Sequence, residues 1–398
     1  MLRVCLLLLG LGMLGGASAQ DTSRILRTDV LVIGGGTGGT AAAIQCARRQ
    51  VQTVLVEPTR MLGGMLSAAG VSCTDGNDEL PSGMWEEFRQ ALYRHYGTRE
   101  LNTGWVSNTC FEPHVADSIF KAWAAREKSL TVLYGYRFEQ VLMEGSRVQG
   151  ALFRAGNGSS LRIEARLVID ATELGDVLAG AGADYDLGME DPAQTGESQA
   201  PGTYPIIQDI TWTAIVRLDG RGPAKGIRRP ADYDERRYYC CNTDAPCQGK
   251  PWNGNTAKML AYGKLPNNKY MINWPFHGND YYLNVVEGHE AERRAGYEKA
   301  RDQTRGFLYF LQTRLGLKKL RLATDELDGG LALIPYNREG RRVRGVVRFN
   351  LNHILRPFDY TLFRTGVAVG DYPVDHHHGQ YPGKVPAIDF PPVPSYNL

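Results

Sequence analysis

Three glycines near the N-terminus have the spacing that binds the diphosphate of a dinucleotide. Gly34, Gly36 and Gly39 form the pattern G-x-G-x-x-G directly after the apolar run 30–33. In such a turn the first glycine permits a tight bend, the second lets phosphate approach the backbone, and the third lets a helix pack closely. Glu57 follows 18 residues after Gly39, where its carboxylate can accept hydrogen bonds from both ribose hydroxyls and would repel a 2′-phosphate. The spacing predicts an adenine dinucleotide site; the alternative is a glycine-rich turn that binds nothing.

Further positions with an accessible main chain extend this predicted site. Thr37 and Gly38 lie within the same turn, at the start of the predicted helix, where free N–H groups and the helix dipole favour phosphate. Gly63 and Gly64 come six and seven residues after Glu57. Bare backbone so close to the ribose acid indicates the approach of a flat or anionic group, which a plain nicotinamide domain does not need.

Histidines supply the candidates for proton transfer. The densest group is Asp375-His376-His377-His378, in which an aspartate beside imidazoles could orient a general base or bind a metal. Adjacent residues of an extended segment point to opposite faces, so we expect His376 and His378 to act together while His377 points away. His277 is a second candidate. The alternative for the 375–378 segment is a solvated loop.

Polar and aromatic residues around His277 indicate where a substrate could bind. Asn273, Trp274 and Asn279 resemble the polar, aromatic platforms that bind sugars and other polyols. A plain turn with Trp274 in the core is the competing interpretation. His114 is expected to be a helix-start or core residue rather than a base.

The elements that must position these residues follow from the hydrophobic pattern. The run 30–33, the alanine-rich stretch 40–49 and the run 51–56 predict strand, helix and strand. A later apolar strand, 165–170, ends at Ala171 and Thr172 and is expected to return to the same parallel sheet beside the dinucleotide. Helices are predicted at 84–97 and 114–127, and at 287–315.

The N-terminal sequence and the number of cysteines indicate the cellular compartment of the protein. Residues 1–19 have a lone Arg3, an apolar core and a small-residue cleavage site before Gln20, which predicts a Sec-type signal peptide cut after Ala19 and hence export to the periplasm or exterior. Six cysteines would remain, an even number that permits disulfides, and a bridge to Cys247 from Cys240 or Cys241 would staple a turn-rich loop.

Composition excludes other classes of function. The net charge of +2 on 398 residues gives no general attraction to nucleic acid or to an anionic membrane. No C-x-x-C pair occurs, so no zinc or iron–sulfur site is predicted. After signal cleavage no segment reaches 18 apolar residues, so no membrane span is expected.

The chain resembles the FAD-dependent oxidoreductases with the glutathione-reductase-like fold, in their exported bacterial branch. The resemblance covers residues 28–398 and lies in the segments 29–57, 61–65, 111–116, 169–172, 272–275, 278–280 and 372–378. It implies FAD as the cofactor, with the diphosphate on Gly34, Gly36 and Gly39, the ribose on Glu57, and Gly63 and Gly64 near the ribityl chain or ring.

The expected architecture is an α/β fold, with a Rossmann-like FAD-binding domain around a parallel sheet and an inserted mixed α+β substrate or cap domain. The predicted divisions are 28–185 for the FAD-binding domain, with a small antiparallel meander at about 130–163, and 206–359 for the inserted domain. Residues 360–398 would begin the return to the FAD-binding domain. Related chains usually continue into a further strand and helix, so truncation is expected.

The resemblance and the predicted signal peptide together predict an exported oxidoreductase that moves a hydride between flavin N5 and a small polar substrate. The residues around His277 make sugar-like molecules or polyols the candidates. An unknown electron acceptor would be the second partner. The competing hypothesis is a catalytically incomplete flavin- or ligand-binding remnant, because the C-terminal part of the flavin site would be missing.

Overall fold

The computed structural model describes residues 24–76, 78, 82–197, 202–218, 226–360, 372 and 375–386. The predicted signal peptide, 1–19, and much of the segment 360–398 lie outside the described residues. In the described part no helix combines the length and the apolar character needed to cross a bilayer.

The strands of the described part number sixteen. They are β1 (Arg24–Ile33), β2 (Thr53–Glu57), β3 (Cys73–Thr74), β4 (Thr109–Cys110), β5 (Leu130–Tyr134), β6 (Tyr136–Glu144), β7 (Arg147–Ala155), β8 (Ser160–Asp170), β9 (Tyr185–Asp186), β10 (Ile210–Thr211), β11 (Ala214–Arg217), β12 (Lys264–Leu265), β13 (Lys269–Ile272), β14 (Asp280–Tyr281), β15 (Arg321–Leu322) and β16 (Arg342–Val343).

The α-helices of the described part number eight, with single 3-10 turns between some of them. They are α1 (Thr37–Arg48), α2 (Gly83–Tyr96), α3 (Pro113–Arg126), α4 (Asp176–Gly180), α5 (Pro192–Thr195), α6 (Thr256–Tyr262), α7 (Glu290–Thr313) and α8 (Leu351–Leu355). The three helices predicted at 84–97, 114–127 and 287–315 correspond to α2, α3 and α7.

The main sheet has six strands in the order β5-β2-β1-β8-β7-β6. β5, β2, β1 and β8 are parallel, whereas β7 and β6 are antiparallel additions at one side. Successive residues of β1 face opposite sides, and both sides are covered: Val30 and Val32 pack with α2 and α3, and Leu31 and Ile33 pack against the β6–β8 side. The predicted α/β class with a parallel sheet is confirmed.

The antiparallel meander differs from the prediction. The segment 130–134, which the prediction included, is β5 and pairs in parallel with β2, so it is not part of the meander. The strand predicted at 165–170 begins earlier, at Ser160, as β8, which pairs with β7 at its start and with β1 along its length. The meander is therefore continuous with the parallel sheet, because one long strand serves both.

The second half of the described chain is built around the antiparallel sheet β12-β13-β11-β15. The long helix α7 covers it with Phe307, Leu308, Phe310 and Leu311, all fully buried. A mixed α+β region is thus present where the sequence predicts one. The exact division at 185 and 206 stays a prediction.

A buried ion cluster joins the start of α3 to this antiparallel sheet. The Lys269 ammonium lies 2.7 Å from Glu112 Oε1, 2.7 Å from Asp325 Oδ2 and 2.5 Å from Glu326 Oε1. His114 Nδ1 lies 2.6 Å from the same Glu326 oxygen. Lys269, Glu112 and Glu326 are each at most 2% exposed, so the charges compensate one another rather than being solvated.

The same cluster has ligands of the kind that hold metal ions, namely Glu112, His114 and Glu326. The ammonium of Lys269 already lies between the two carboxylates, where a cation would be placed. This arrangement accounts for the buried acids by an internal ion pair. His114, at the first turn of α3, has the helix-start position expected from the sequence.

Replacing this lysine tests its structural role. Lys269→Met is expected to lower the free energy of unfolding by about 3–5 kcal/mol, because two buried carboxylates lose their counter-ion. Chemical denaturation followed by circular dichroism measures the change. Lys264→Met, on the neighbouring strand but exposed, is the matched control. A loss no larger than that of the control would show that the cluster does not stabilise the fold.

Candidate functional site

The turn between β1 and α1 leaves no space for side chains where it meets the end of β8. A Cβ on Gly34 would lie 2.2 Å from the carbonyl oxygen of Ala171, and one on Gly39 would lie 1.9 Å from the carbonyl oxygen of Gly34. Gly34 also has φ +105°, which favours glycine. Ala171 donates its N–H to Ile33 O at 2.9 Å. The glycines therefore bring strand, helix and the 171–172 segment into direct contact.

The N-terminus of α1 presents backbone donors. Gly36 is its N-cap and no side chain caps the first turn, so N–H groups that have no partner within the helix remain available. Thr37 and Gly38 are exposed, and a Cβ on Gly38 would meet nothing within 4 Å. A diphosphate fits this arrangement, because the donors and the helix dipole face open space.

Glu57 lies where a ribose-binding acid is required. Its side chain is buried at the end of β2, with 6% exposure, and one carboxylate oxygen accepts the N–H of Gly35 while the other accepts that of Thr59, both at 2.7 Å. Burial raises the pKa of Glu57, and these hydrogen bonds partly oppose the rise. Since a carboxylate has about four acceptor positions, two remain for the ribose hydroxyls.

The second glycine pair lies directly against the first. Gly63 donates its N–H to Gly35 O at 2.8 Å, and Thr37 Oγ1 donates to Gly63 O at 2.9 Å. All predicted cofactor-binding residues therefore lie together at the carboxyl ends of β1, β2 and β8, the edge at which parallel sheets bind dinucleotides. We call this part of the structure the glycine edge. The contact of these residues with the cofactor itself stays a prediction, but the residues present fit FAD.

Glu173, which the sequence analysis missed, lies at the same place. Its Oε1 is 3.1 Å from the position of a Cβ on Gly36 and 2.9 Å from that of a Cβ on Gly64. Although the residue as a whole is exposed, its carboxyl group is against the glycine backbone, and this desolvation, together with the charge of Glu57, raises the pKa of Glu173. The only sequence signal was its position directly after Ala171 and Thr172.

A second group of polar residues surrounds His377 rather than its neighbours. His377 Nδ1 lies 3.0 Å from Asp280 Oδ2, and its Nε2 lies 3.2 Å from Asp375 Oδ2. The His376 and His378 rings are 5.3 Å apart, so these two do lie together as expected. The aspartate, however, contacts the histidine that was expected to point away. Burial lowers the pKa of both His376 and His378.

Buried groups around His377 are incompletely paired. Asp280 is 2% exposed; it accepts a hydrogen bond from Thr211 Oγ1 and lies 3.2 Å from Arg338 Nη2. Asp209 is 1% exposed, and burial raises its pKa to about 6. Within the described residues, Asp209 Oδ1, Asn337 Oδ1 and Arg338 Nε have no hydrogen-bond partner, which indicates unused capacity for a polar ligand.

One loop connects the two groups. It begins at Gly63 and Gly64, continues through Ala69, whose carbonyl accepts a hydrogen bond from Thr213, and reaches Asp75. Asp75 Oδ2 lies 3.5 Å from the hydroxyl of Tyr372, three residues before Asp375. Burial raises the pKa of the Asp75 carboxyl group, and the charge of Asp375 raises it further, so the end of this loop lies near Asp375.

The residues predicted to bind substrate have internal positions. Trp274 is 3% exposed within a group of aromatic rings and donates to Cys241 O. Asn279 is fully buried and binds the backbone of Trp274, Trp212 and Ile272. Asn273 is 6% exposed and its Oδ1 lacks a partner among the described residues. These contacts are structural, and a substrate role stays a prediction.

His277 lies in an exposed turn with φ +51°. The same turn leads to Asp280, which contacts His377. Asp280, three residues beyond His277, is the residue that the structure brings to the 375–378 segment. A catalytic role for His277 stays a prediction.

The fold and the glycine edge define a dinucleotide-binding α/β protein. Residues 29–398 match the model of the FAD-dependent oxidoreductase family, and the chain belongs to that family. It is therefore a flavoprotein oxidoreductase by family, and FAD is its cofactor. No curated protein matches the sequence.

Solved structures with partial similarity include other flavoproteins. The myxobacterial chondrochloren halogenase CndH, an FAD-dependent halogenase, is 18% identical, with a TM-score of 0.34 over 50% of this chain and 46% of that chain. A flavoprotein/dehydrogenase from Cytophaga hutchinsonii is 21% identical, with a TM-score of 0.33 over 49% of this chain and 47% of that chain. This chain therefore matches less than half the length of either protein.

Adding one methyl group tests the diphosphate position. Gly36→Ala is expected to weaken FAD binding roughly tenfold or more, because its Cβ would point into the predicted site while meeting only the end of Glu173. Titration of the apoprotein with FAD, followed by flavin fluorescence, measures the Kd. Gly156→Ala, in the exposed turn after β7 and with a Cβ that meets nothing, is the control and should leave the Kd unchanged. Equal affinities in the two variants would place the diphosphate elsewhere.

Glu173 gives a test that depends on pH. Glu173→Gln is expected to bind FAD roughly fivefold more tightly than the wild type at pH 8, because a carboxylate beside the diphosphate repels it. The difference should shrink at pH 5, since the raised pKa means that the wild-type carboxyl group gains its proton there more readily. Glu298→Gln, on the exposed face of α7, is the control. If Glu173→Gln does not increase the affinity for FAD at pH 8, the Glu173 carboxylate does not repel the diphosphate.

Proposed function

We propose that the protein is an exported FAD-dependent oxidoreductase that exchanges a hydride with a small polar substrate, of which sugars and polyols are the best candidates. The observation that carries the proposal is His377, whose two ring nitrogens lie against the carboxylates of Asp280 and Asp375. When FAD is bound, it supplies hydride transfer at its N5 atom. The protein must then hold the substrate and move a proton.

His377 is suited to the proton transfer. Burial alone would raise the pKa of Asp280, but Arg338, His377 and Thr211 lower it on balance, so Asp280 remains ionised and accepts the Nδ1 proton of His377. This bond fixes the ring and directs Nε2 away from the interior. Asp375 at Nε2 is exposed and can move aside for a substrate hydroxyl. Oxidation of an alcohol needs a base at this position to take the hydroxyl proton.

The chemistry of the surrounding groups supports a substrate with hydroxyls. Asp209 Oδ1 and Asn337 Oδ1 are acceptors without a partner within the described residues, and Arg338 Nε is a donor without one. Arg338 Nη1 donates to the Asp209 backbone at 2.9 Å, so Asp209 and Arg338 are neighbours. A polyol offers donors and acceptors for both kinds of group.

Two features support export. The N-terminal 19 residues have the pattern of a signal peptide. A disulfide joins Cys240 to Cys247, one of the two bridges to Cys247 that the sequence left open, and such bonds persist in oxidising compartments. The partners would be the substrate and an electron acceptor in that compartment.

The proposal is tested by flavin spectroscopy of the purified full-length protein. The protein should show flavin absorbance. When polyols and sugars are added one at a time without oxygen, at least one of them should reduce the flavin and bleach this absorbance. His377→Asn is expected to slow the bleaching by roughly 10²–10⁴ at neutral pH, because the base is lost. His95→Asn, at the exposed end of α2, is the control and should retain the wild-type rate.

Three outcomes separate the parts of the proposal. Flavin absorbance without bleaching by any of these compounds would leave FAD binding intact and contradict the substrate class. Bleaching at an unchanged rate in His377→Asn would remove His377 from the mechanism. A protein that retains no flavin would favour the incomplete remnant.

A further inference from the structure

Two cysteines lie directly opposite each other in a short antiparallel ladder. Cys73 of β3 pairs in register with Cys110 of β4. β3 follows the loop that starts at Gly63 and Gly64, and β4 immediately precedes α3. The two thiols are buried, with 5% and 0% exposure, in an apolar cluster that also contains Ile215 and Met271 of the antiparallel sheet.

The hydrogen bonds identify the kind of pair. Phe111 donates its N–H to Ser72 O at 3.0 Å, whereas Cys110 donates its N–H to Leu101 O at 2.9 Å, away from β3. Ser72 and Phe111 are therefore the hydrogen-bonded pair, and Cys73 and Cys110 form the adjacent pair without mutual bonds. In such pairs the Cα atoms are about 4.5 Å apart and the side chains are at their closest. This separation lies within the range of about 4.4–6.8 Å that disulfides require.

We propose that Cys73 and Cys110 form a structural disulfide in the mature protein. Two S–H bonds break and one S–S bond forms, while two electrons and two protons pass to an oxidising disulfide such as oxidised glutathione, which becomes two thiols. The described fold holds both cysteines as thiols, with Cys110 Sγ 3.9 Å from Gly104 O and 3.6 Å from Ser107 O. Closure of the bond replaces these weak contacts and keeps the register of the ladder.

The bond must form before the pair is buried. Burial raises the pKa of both thiols, that of Cys73 strongly, and the thiolate is the reactive form. The folded dithiol should therefore exchange slowly, and the folded disulfide should resist reduction for lack of access. These properties fit a permanent structural bond rather than a switch.

The bond would fix the loop that starts at Gly63, beside the glycine edge. Cys73 ends the segment that begins at Gly63, and Cys110 precedes Glu112, whose carboxylate pairs with Lys269. A covalent link at this ladder ties the glycine loop to the start of α3. The bond does not depend on the proposed activity, because it requires only an oxidant and the observed register.

Peptide mapping without reduction tests the pairing. The full-length protein is refolded in a mixture of reduced and oxidised glutathione, alkylated while unfolded, and digested with trypsin. Cys73 and Cys110 fall in separate peptides, 61–89 and 100–121, each with one cysteine. The expected result is one linked species of these two peptides, split by reduction. Alkylation of both cysteines without reduction, or linkage of either to another cysteine, would overturn the proposal.

Thermal unfolding gives a second readout. The Cys73→Ala/Cys110→Ala variant is expected to have a Tm lower by about 5 °C than the oxidised wild type, since the link constrains the unfolded chain. Cys46→Ala, which removes a cysteine from α1, is the control and should keep the wild-type Tm. After refolding under full reduction, most of the difference should vanish. If the double variant does not fold, the peptide map of the wild type decides alone.

Discussion

The functional edge depends on the contact of bare backbone between the β1–α1 turn and the end of β8. At Gly34 and Gly39 any side chain would overlap a carbonyl oxygen, so the helix, the strand and the 171–172 segment approach as closely as backbones can. The same turn accepts the N–H of Gly63, which brings Gly63 and Gly64 beside the first turn of α1. The pairing of β2 with β1 then places Glu57 next to this turn, where its carboxylate accepts the N–H of Gly35.

The acidic side chains at the glycine edge and around His377 are of two kinds, which differ in how many hydrogen-bond donors hold them. Glu57 and Asp280 are buried but each is held by several donors, which fixes where the carboxylate points. Asp375 is exposed, whereas the Glu173 carboxyl group lies against the backbone of Gly36 and Gly64. Asp280 fixes the position of the His377 imidazole, and Glu57 has the position predicted for a ribose-binding acid.

The local pattern of the sequence predicted the local part of the fold. The strand, helix and strand of 30–56 and the helices α2 and α3 were predictable, because periodicity and glycine spacing act over a few residues. The arrangement around His377 was not, because Asp280 lies 97 residues away in the sequence and its approach depends on the antiparallel region. The alternation rule puts Asp375 and His377, two residues apart, on the same face, and these two side chains are in contact, but it gives no information on Asp280.

Other differences have a similar origin. The internal positions of Trp274 and Asn279 depend on packing with Trp252, Trp105 and α7, which no local pattern shows. The Lys269 cluster combines residues from three distant segments, each of which by itself looks like an ordinary charged residue. Glu173 was missed because its importance comes from proximity to Gly36 and Gly64 rather than from its residue type.

The length of β8 constrains how this family member can vary. The strand passes from the antiparallel hairpin to the parallel core without a break, and Asp170 at its end binds the backbone of Thr172 and Leu178. Inserting one residue within β8 would turn all later side chains to the opposite face of the sheet and would separate Asp170 from those partners. An added residue in the exposed turns near Gly145 and Gly158 would leave this register unchanged, whereas one between Ser160 and Asp170 would not.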